Sequence, residues 1–576
     1  MTRRPLTAVG IAAALVLLLP NICDSAMAPK SESHFPVPSY ESPQWWVNRG
    51  RADLLAAKAA ASNLQRGRAK NLVFFLGDGL SLTSTMAGRV YKGQLQNRSG
   101  EEAQLSYETF PQIALAKTYD CDFQTSDSGA TATAIGSGVK TNDGNIGVNQ
   151  DVIRGNCTTY DPSKNLYSFM HYAQLAGKSV GLVTTTRITH ATPAAMYAHS
   201  PSRSWESDAN LPAGTDKTKC PDIATQLVSN AADWNVIFGG GRTNFLPTAE
   251  STIDYSNKNS SVSGKRQDGV NLINRWRNLQ SSKMRRFAFA ESKSQFDAID
   301  PANTDYVLGL FATSHLRYQL DNEMDPTYQE PSLSEMVDKA IRILSRNPNG
   351  FALFVEAGRI DHAHHDNYGK RALHDVLELD RAVTRAMGLT NRADTLMLVT
   401  GDHSHVFTVG GWGLRGNPIL GRVVNSDEDR YNSKGEAVAY DGMPYTVLNY
   451  ADGPSAAIGT PRKNLTDANT TAVNFQFPAL YNYDYESHGA EDVPVYAAGP
   501  SAYLLHSTHE QSYIGHVVMY ALCVGPEASV YCADEEAPTT TGPYMTGQPL
   551  PRSASGLTAS SVLLALAYGF RIWVES

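Results

Sequence analysis

No long block of lysine and arginine occurs in this sequence of 576 residues, and its aromatic residues are not interleaved with basic ones. The formal net charge at pH 7 is −8. A protein that binds nucleic acid needs a basic face for the phosphate backbone, so a nucleic-acid partner is not predicted. Internal repeats and extended low-complexity tracts are absent too. Because 42% of the residues are hydrophobic, we expect a globular chain with a large core.

Long apolar runs are also missing from the N-terminal region. The run Leu6–Leu19 is too short for a membrane span, follows two arginines and precedes small residues. This pattern predicts that residues 1–28 are a secretory signal peptide. Asn-x-Ser/Thr sequons agree with a glycoprotein on the secretory route, and they lie at Asn97, Asn156, Asn259, Asn464 and Asn469.

The sequence contains few cysteines, six in all. Cys23 would leave with the signal peptide, and the oxidising conditions of the secretory route favour disulfides among the rest. An odd number remains, so one thiol stays free or pairs with another molecule. The remaining cysteines are Cys121, Cys157, Cys220, Cys523 and Cys532.

The C-terminal region, residues 541–576, predicts a linker followed by a GPI-attachment signal. Small residues at 553–556 precede the apolar tail Val562–Val574, as in signals whose tail is removed. Arg571 within the tail departs from that pattern, and the alternative is a short apolar helix packed on the body. With the signal peptide, this region predicts a protein held by a GPI anchor at the extracellular face of the plasma membrane.

Between these ends, short apolar runs alternate with helical patterns. Continuous apolar runs are typical of strands buried on both faces, and their alternation with helices predicts an α/β fold with a mostly parallel central sheet flanked by helices. Residues 411–475, rich in Gly, Asn, Asp and Tyr, interrupt this alternation and predict a subdomain inserted into one domain of residues 29–540. The strand-like runs are Leu72–Leu76, Val180–Val183, Val236–Phe238, Phe351–Val355, Thr395–Val399 and Val493–Ala497.

Polar residues follow four of these runs. In open α/β sheets, ligands bind outside the carboxyl ends of the strands, so we expect these distant residues to meet at one rim of the sheet. They are Asp78, His190, Thr192, Glu356, Asp402 and His403.

The run 127–134 places Ser128 between an acid and a glycine at the start of a predicted helix. The free N–H groups and the positive dipole end of a helix start stabilise an anion. A serine alkoxide, or an ester with a negatively charged group, therefore forms more readily there. The simplest alternative is a serine that caps the helix and carries no chemistry.

Two clusters have the residue types and spacing of metal sites. Asp361 and His365 lie four residues apart, which places both on one face of a helical turn. Asp402, His403 and His405 follow directly after an apolar run. A lone histidine is more often structural, but two clusters that each join an aspartate to histidines favour metal binding. Mixed His and Asp ligands suit Zn²⁺, and all-oxygen sets suit Mg²⁺.

Seven segments carry these features in a fixed order, namely residues 71–79, 127–134, 183–193, 197–205, 354–365, 401–407 and 488–493. Together they resemble the alkaline phosphatase family, specifically its animal-type, membrane-anchored enzymes. The resemblance implies a phosphate monoester hydrolase that acts through a phosphoserine intermediate, with two zinc ions and one magnesium ion. It also implies a crown-like form for the inserted subdomain, and a homodimer with the N-terminal arm and the insert near the interface.

The resemblance assigns a role to each site residue. Ser128 is the expected nucleophile, and Arg203 is expected to hold two phosphate oxygens with its planar fork. The resemblance also implies that His190 and His362 contact the substrate. It implies that His405 and Asp127 support the metal ligands without binding a metal themselves.

Three metal sites follow from the same resemblance. A phosphoryl group in transfer needs its oxygens neutralised, which two cations and an arginine achieve. The implied ligand sets are Asp361, His365 and His488 for one zinc; Asp78, Asp402, His403 and the Ser128 oxygen for the other; and Asp78, Thr192 and Glu356 for magnesium.

The family's calcium site is incomplete in this chain. Phe311 and Asp325 can be matched to it, and Asp254 stands for the remaining ligand. Ala312, however, lies where an acid is expected. The family pairing also implies the disulfides Cys157–Cys220 and Cys523–Cys532, with Cys121 unpaired, although spacing alone allows three connectivities among those four.

Two alternatives remain open. The first is a phosphodiesterase or sulfatase of the same superfamily. A sulfatase would need a modified Cys or Ser in a different motif, and Arg203 suits the doubly charged end of a monoester. The second is a cell-surface binding protein on an inactive phosphatase scaffold, which the presence of Ser128 and every candidate ligand disfavours as the sole role.

Overall fold

The computed structural model describes residues 35–36, 38–62, 64–255, 260–325, 327, 330–424, 432, 435–458 and 461–532. The predicted signal peptide, the GPI-attachment signal of residues 541–576 and the sequon at Asn259 lie outside these residues. All the described helices and strands lie in one compact unit, whose last residue is Tyr531. Among the described residues, none of the helices combines the length and the apolar character needed to cross a bilayer.

The described strands are β1 Asn71–Gly77, β2 Gln112–Lys117, β3 Ser179–Arg187, β4 Val236–Gly240, β5 Ser251–Asp254, β6 Ser260–Ser263, β7 Phe287–Ala290, β8 Tyr306–Leu310, β9 Phe351–Ala357, β10 Thr395–Gly401, β11 Ser404–His405, β12 Phe407–Val409, β13 Leu448–Gly453, β14 Ala479–Asn482, β15 His488–Gly489, β16 Val493–Ala498 and β17 Thr508–Glu510. The described helices are α1 Pro43–Ser62, α2 Leu82–Gln94, α3 Ser128–Ser137, α4 Phe169–Leu175, α5 Ala191–Ala194, α6 Ile223–Asn230, α7 Leu272–Ser282, α8 Lys293–Asp297, α9 Gln319–Met324, α10 Leu333–Leu344, α11 Arg359–His365, α12 Gly369–Leu389, α13 Tyr513–Leu522 and α14 Ala528–Tyr531.

Ten strands form the central sheet, in the order β17-β2-β16-β10-β1-β9-β3-β4-β8-β7. All the pairs are parallel except the two made by β16, which runs opposite to β10 and β2. The predicted α/β fold with a mostly parallel sheet is therefore confirmed. Each apolar run predicted to be a strand lies in this sheet, and Val493–Ala497 lies in its one reversed strand.

Both faces of the sheet are buried, which explains why its central strands are apolar without alternation. On β1, Leu72 and Phe74 pack against the helices of one face, including α3, α4 and α13. The neighbouring Val73 and Phe75 point the other way, toward α2, α10 and α12. Successive side chains on a strand point to opposite faces, so a continuous apolar run serves both helical layers.

Residues 402–492 leave the sheet between β10 and β16 and return to it. This excursion contains the predicted insert of residues 411–475, together with the small sheets β12-β13-β14 and β11-β15. Leu448, Tyr450 and Phe477 of the excursion are buried in the core that lies between α12 and one face of the sheet. The pairing of β11 with β15 sets His405 opposite His488, which brings the end of the excursion back to the rim.

The disulfide Cys157–Cys220 is present, as the resemblance implies. Cys523 and Cys532 are also disulfide-bonded, whereas Cys121 is an exposed free thiol. None of the 20 residues of the N-terminal helix α1 is buried.

The aromatic packing under the sheet gives a test of this core. Phe354 of β9 stacks on Phe74 with ring centroids 5.4 Å apart and also contacts Phe169 of α4. We expect Phe354→Ala to lower the free energy of unfolding by about 3–5 kcal/mol, because it removes a fully buried ring from a packed layer. Denaturant unfolding would measure the loss. Leu175→Ala, at a position 70% exposed, is the matched control, and similar losses in both variants would contradict the packing described.

Candidate active site

The candidate site forms where three neighbouring parallel strands end. In the order β10-β1-β9, Gly77 lies beside Gly401, and Leu76 lies beside Glu356. Asp78 and Asp402 are the next residues after these strands, so their carboxylates meet at the rim. The predicted convergence of residues far apart in the sequence is a direct result of this register.

Ser128 is the first residue of α3, and Asp127 caps the helix. The Asp127 carboxylate accepts hydrogen bonds from the N–H groups of Gly129 at 2.9 Å and Ala130 at 3.0 Å. The capping residue is therefore Asp127, and the Ser128 hydroxyl is left for the site. Ser128 Oγ lies 3.2 Å from His403 Nε2 and 3.4 Å from Asp78 Oδ1.

One group of possible metal ligands consists of Asp361, His365 and His488. The Nε2 atoms of His365 and His488 lie 3.3 Å and 3.4 Å from Asp361 Oδ1, and 3.3 Å from each other. Asp361 and His365 share one face of α11, as their spacing predicted, and His488 arrives on β15. These three side chains therefore point their ligand atoms at one position.

The hydrogen bonds of the Nδ1 atoms, on the other side of each ring from Nε2, show why these histidines fit a metal. His365 Nδ1 lies 2.5 Å from the carbonyl oxygen of Glu486, and His488 Nδ1 lies 2.9 Å from that of Ser126. His403 Nδ1 faces the carbonyl oxygen of Ser404. A carbonyl only accepts, so Nδ1 carries the proton in each ring and Nε2 presents a lone pair toward the site.

A second group contains Asp78, Asp402 and His403, whose ligand atoms lie within 4.8 Å of one another. All three side chains are fully buried. Asp402 Oδ1 also accepts the N–H of Gly79 at 2.9 Å, which fixes its orientation. Because Ser128 Oγ is within 3.4 Å of Asp78 and His403, the hydroxyl borders this second group.

A third group lies between Asp78, Glu356 and His190, again with ligand atoms within 4.8 Å. Asp78 Oδ2 and Glu356 Oε1 are buried and accept no hydrogen bond from the described residues. Glu356 Oε2, in contrast, accepts the hydroxyls of Thr184 and Thr186. Buried oxygens without a donor cost free energy unless a cation neutralises them, so this oxygen-rich set fits an ion.

The site concentrates buried negative charge. Burial, with the charges of Asp361, Asp402 and Glu356, raises the pKa of Asp78 well above its ordinary value. Burial also raises the pKa of Glu356 to about 7, although the hydroxyls of Thr184, Thr186 and Thr192 lower it. Cations at the site would relieve this repulsion and keep the carboxylates ionised.

His405 serves a different purpose from the other histidines. Its Nε2 donates to Asp361 Oδ1 at 2.8 Å, and its Nδ1 donates to the buried carboxylate of Glu486. Burial acts to lower the pKa of His405, but the two carboxylates raise it to about 10. Because both ring nitrogens of His405 donate to carboxylates, neither offers a lone pair to a metal in this arrangement, and the ring holds Asp361 in place.

Arg203 lies beside the start of α3, where it binds the residue that precedes Ser128. Its Nη1 donates to Asp127 Oδ2 at 2.9 Å, and its Nη2 lies 3.1 Å from His190 Nε2. The second predicted substrate residue, His362, accepts from Arg359 Nη1 at 2.9 Å. The carboxylate that caps α3 therefore also orients the predicted phosphate-binding arginine.

Several functional side chains were not predicted. Glu486 holds His405 with its carboxylate and His365 with its carbonyl oxygen. Thr184 and Thr186 hold Glu356. The only sequence signal was proximity: Glu486 lies two residues before His488, and the threonines precede a polar cluster.

The calcium ligand set stays incomplete in the structure. Arg317 Nη1 donates to Asp325 Oδ2 at 2.9 Å, and Thr327 N–H donates to Asp325 Oδ1 at 3.0 Å. Ala312 is buried beside Phe311 and offers no carboxylate. These residues do not fit the calcium site that the resemblance implied.

The chain is similar in sequence and fold to known alkaline phosphatases. The family described as alkaline phosphatase matches residues 69–524. The chain is 42% identical over 532 residues to the tissue-nonspecific isozyme of Gallus gallus alkaline phosphatase, covering 92% of this chain and 96% of that relative. It is 40% identical over 500 residues to a membrane-bound alkaline phosphatase of Bombyx mori, covering 86% of each. The structure of Thermus thermophilus alkaline phosphatase, 24% identical, matches 80% of this chain and 93% of that one with a TM-score of 0.54.

Glu486 gives a test of the site that needs no assumption about substrate. We expect Glu486→Gln to weaken metal binding by about 10–100-fold, because it removes the charge that orients His405 and, through it, Asp361. Release of the bound metal to a chelator would measure the change. Asp484→Asn, an exposed change two residues away, is the control. Equal metal affinity in wild type and Glu486→Gln would contradict the positioning role.

Proposed function

The chain belongs to the alkaline phosphatase family and is a metal-dependent phosphomonoesterase, and we propose that it acts through a phosphoserine intermediate on Ser128. The observation that carries the proposal is the position of the hydroxyl. Ser128 Oγ borders one group of candidate ligands at 3.2 Å and 3.4 Å, and the adjacent Asp127 binds Arg203.

We assign the metals by the chemistry of the donors. Two mixed His and Asp sets suit zinc, and the third set, which offers only oxygen ligands, suits magnesium. When bound, two such zinc ions supply positive charge at the attacking and leaving oxygens of the phosphoryl group. The assigned sets are Asp361, His365 and His488; Asp78, Asp402, His403 and Ser128; and Asp78, Thr192 and Glu356.

The protein's own residues account for the remaining steps. Ser128 Oγ attacks phosphorus and forms a P–O bond, the P–O bond to the alcohol breaks, and the alcohol leaves with a proton. Water then cleaves the phosphoserine and releases inorganic phosphate. Arg203 holds phosphate oxygens through both steps, with Asp127 fixing the direction of its fork.

Placement at the cell surface belongs to the same proposal. We propose a glycosylated protein that is secreted and held by a GPI anchor, in keeping with the membrane-bound relative from Bombyx mori. The sequons at Asn97, Asn464 and Asn469 are exposed. We also propose a homodimer, in which α1, a helix without a buried residue among the described part of the chain, packs against the second copy.

We expect Ser128→Ala to abolish phosphoenzyme formation, while Asp78, Asp402 and His403 still hold the second metal, so that the metal content stays close to that of wild type. Acid quenching after incubation with radiolabelled phosphate would trap the wild-type intermediate and none in the variant. The conservative control is Ser126→Ala, a nearby serine whose carbonyl, not its hydroxyl, contacts His488. A covalent phosphate recovered from Ser128→Ala would refute the role of this residue.

We expect Arg203→Ala to weaken the binding of inorganic phosphate by about 10–100-fold, equivalent to about 1.4–2.8 kcal/mol, because it removes a bidentate charged contact. The nucleophile remains, so phosphoenzyme should still form at high substrate. Inhibition by inorganic phosphate measures the change. Unaltered phosphate affinity would show that Arg203 serves only to hold Asp127.

One assay separates the phosphatase from both alternatives. We expect the metal-replete protein to hydrolyse p-nitrophenyl phosphate, to hydrolyse bis-p-nitrophenyl phosphate far more slowly, and to lose activity with a chelator. Faster turnover of the diester would favour a phosphodiesterase. No turnover of either ester would favour a surface binding protein.

A further inference from the structure

Three histidine rings form a separate cluster beside Arg203. The His362 ring lies 4.2 Å from His315 and 5.4 Å from His190 between centroids. Each ring faces a different guanidinium group. The facing pairs, here called the His–Arg cluster, are His362 with Arg359 at 2.9 Å, His190 with Arg203 at 3.1 Å, and His315 with Arg187.

The three histidines lie close enough together to hold a metal ion, since their ligand atoms are within 4.8 Å. The surrounding guanidinium groups argue against that use. A guanidinium only donates, so in each ring the nitrogen that faces it is already an acceptor. Three permanent positive charges around the rings would also repel a cation. The His–Arg cluster is therefore better suited to an anion.

The three arginines differ in how their charge is balanced. Arg203 pairs with Asp127 at 2.9 Å, and Arg187 pairs with Glu206 at 2.7 Å. Arg359 makes no ion pair with any carboxylate of the described chain. Its guanidinium instead lies over the ring of Tyr318 at 3.8 Å and donates to His362.

Two carboxyl groups near Arg359 do not neutralise it directly. Asp366 Oδ2 accepts the Tyr318 hydroxyl at 3.3 Å, and Asp375 Oδ2 accepts the Gln319 N–H at 3.2 Å. Burial raises the pKa of Asp375 to about 8, so this group is largely protonated at neutral pH. A half-buried guanidinium without a counter-ion binds an anion readily, because little solvation has to be removed first.

We propose that Arg359 binds a second anionic group of the substrate, so that the preferred substrates are phosphate monoesters that carry another phosphate, as sugar bisphosphates do. This rests on the proposed function, in which Arg203 holds the reacting phosphate. The His362 and His190 rings, 5.4 Å apart between centroids, lie between the two arginines. The two phosphates would therefore bind on either side of this pair of rings, which suits groups separated by a sugar.

The first test compares two substrates that differ by one phosphate. Metal-replete, full-length protein would be assayed on fructose 1,6-bisphosphate and fructose 6-phosphate. We expect Arg359→Gln to lower the ratio of their kcat/KM values about tenfold, equivalent to about 1.4 kcal/mol. The matched control is Arg371→Gln, since Arg371 also lies over the Tyr318 ring, at 5.1 Å, but pairs with Asp321 at 3.1 Å. An unchanged ratio in Arg359→Gln would overturn the proposal, as would an equal fall in both variants.

The second test measures binding without turnover. Calorimetry would compare hexane-1,6-bisphosphonate, whose six-carbon linker matches the length of a sugar, with hexylphosphonate, and we expect Arg359→Gln to weaken only the bisphosphonate, again about tenfold. Equal weakening of both compounds would mean that Arg359 acts only by orienting His362, and would overturn the second subsite. If wild-type protein hydrolyses p-nitrophenyl phosphate but neither sugar phosphate, the second subsite is overturned and the proposed function stands. If it hydrolyses none of the three esters, the proposed function fails, and the calorimetric comparison still decides the role of Arg359.

Discussion

The active site depends on buried negative charge that the described side chains neutralise only in part. Asp78, Asp402 and Glu356 are fully buried at adjacent strand ends, and Asp361 beside them pairs with His405. Removing a carboxylate from water costs several kcal/mol unless a partner of opposite charge is supplied. The backbone contacts of the surrounding histidines leave their free lone pairs facing inward, so the protein holds a preformed cage whose ligands suit cations.

The scaffold that carries this cage was largely predictable. Strands such as Leu72–Leu76 and Phe351–Val355 are apolar throughout because helices cover both faces of the sheet, and that pattern is visible without coordinates. The convergence of Asp78, Glu356 and Asp402 followed from one further rule, that polar residues after parallel strands share an edge. The four-residue spacing of Asp361 and His365 predicted their common helical face correctly.

Other features leave no such trace in the sequence. The apolar run of β16 predicts a strand but carries no information on its direction, and the strand proved to be antiparallel. The β11 and β15 pairing involves two residues on each side, too few for a recognisable period. Glutamate usually lies on the protein surface, and only the tertiary fold explains why the Glu486 carboxylate is buried against His405. Arg359 was unremarkable until the structure showed that no described carboxylate pairs with it.

The excursion of residues 402–492 has a consequence for biogenesis. Asp78 emerges from the ribosome hundreds of residues before His488, so a nascent chain exposes part of the cage long before it can be closed. The proposed metal sites can therefore be filled completely only after the whole domain has been synthesised. Until then water can solvate the Asp78 carboxylate, so the growing chain does not experience the repulsion among the buried carboxylates of the folded site.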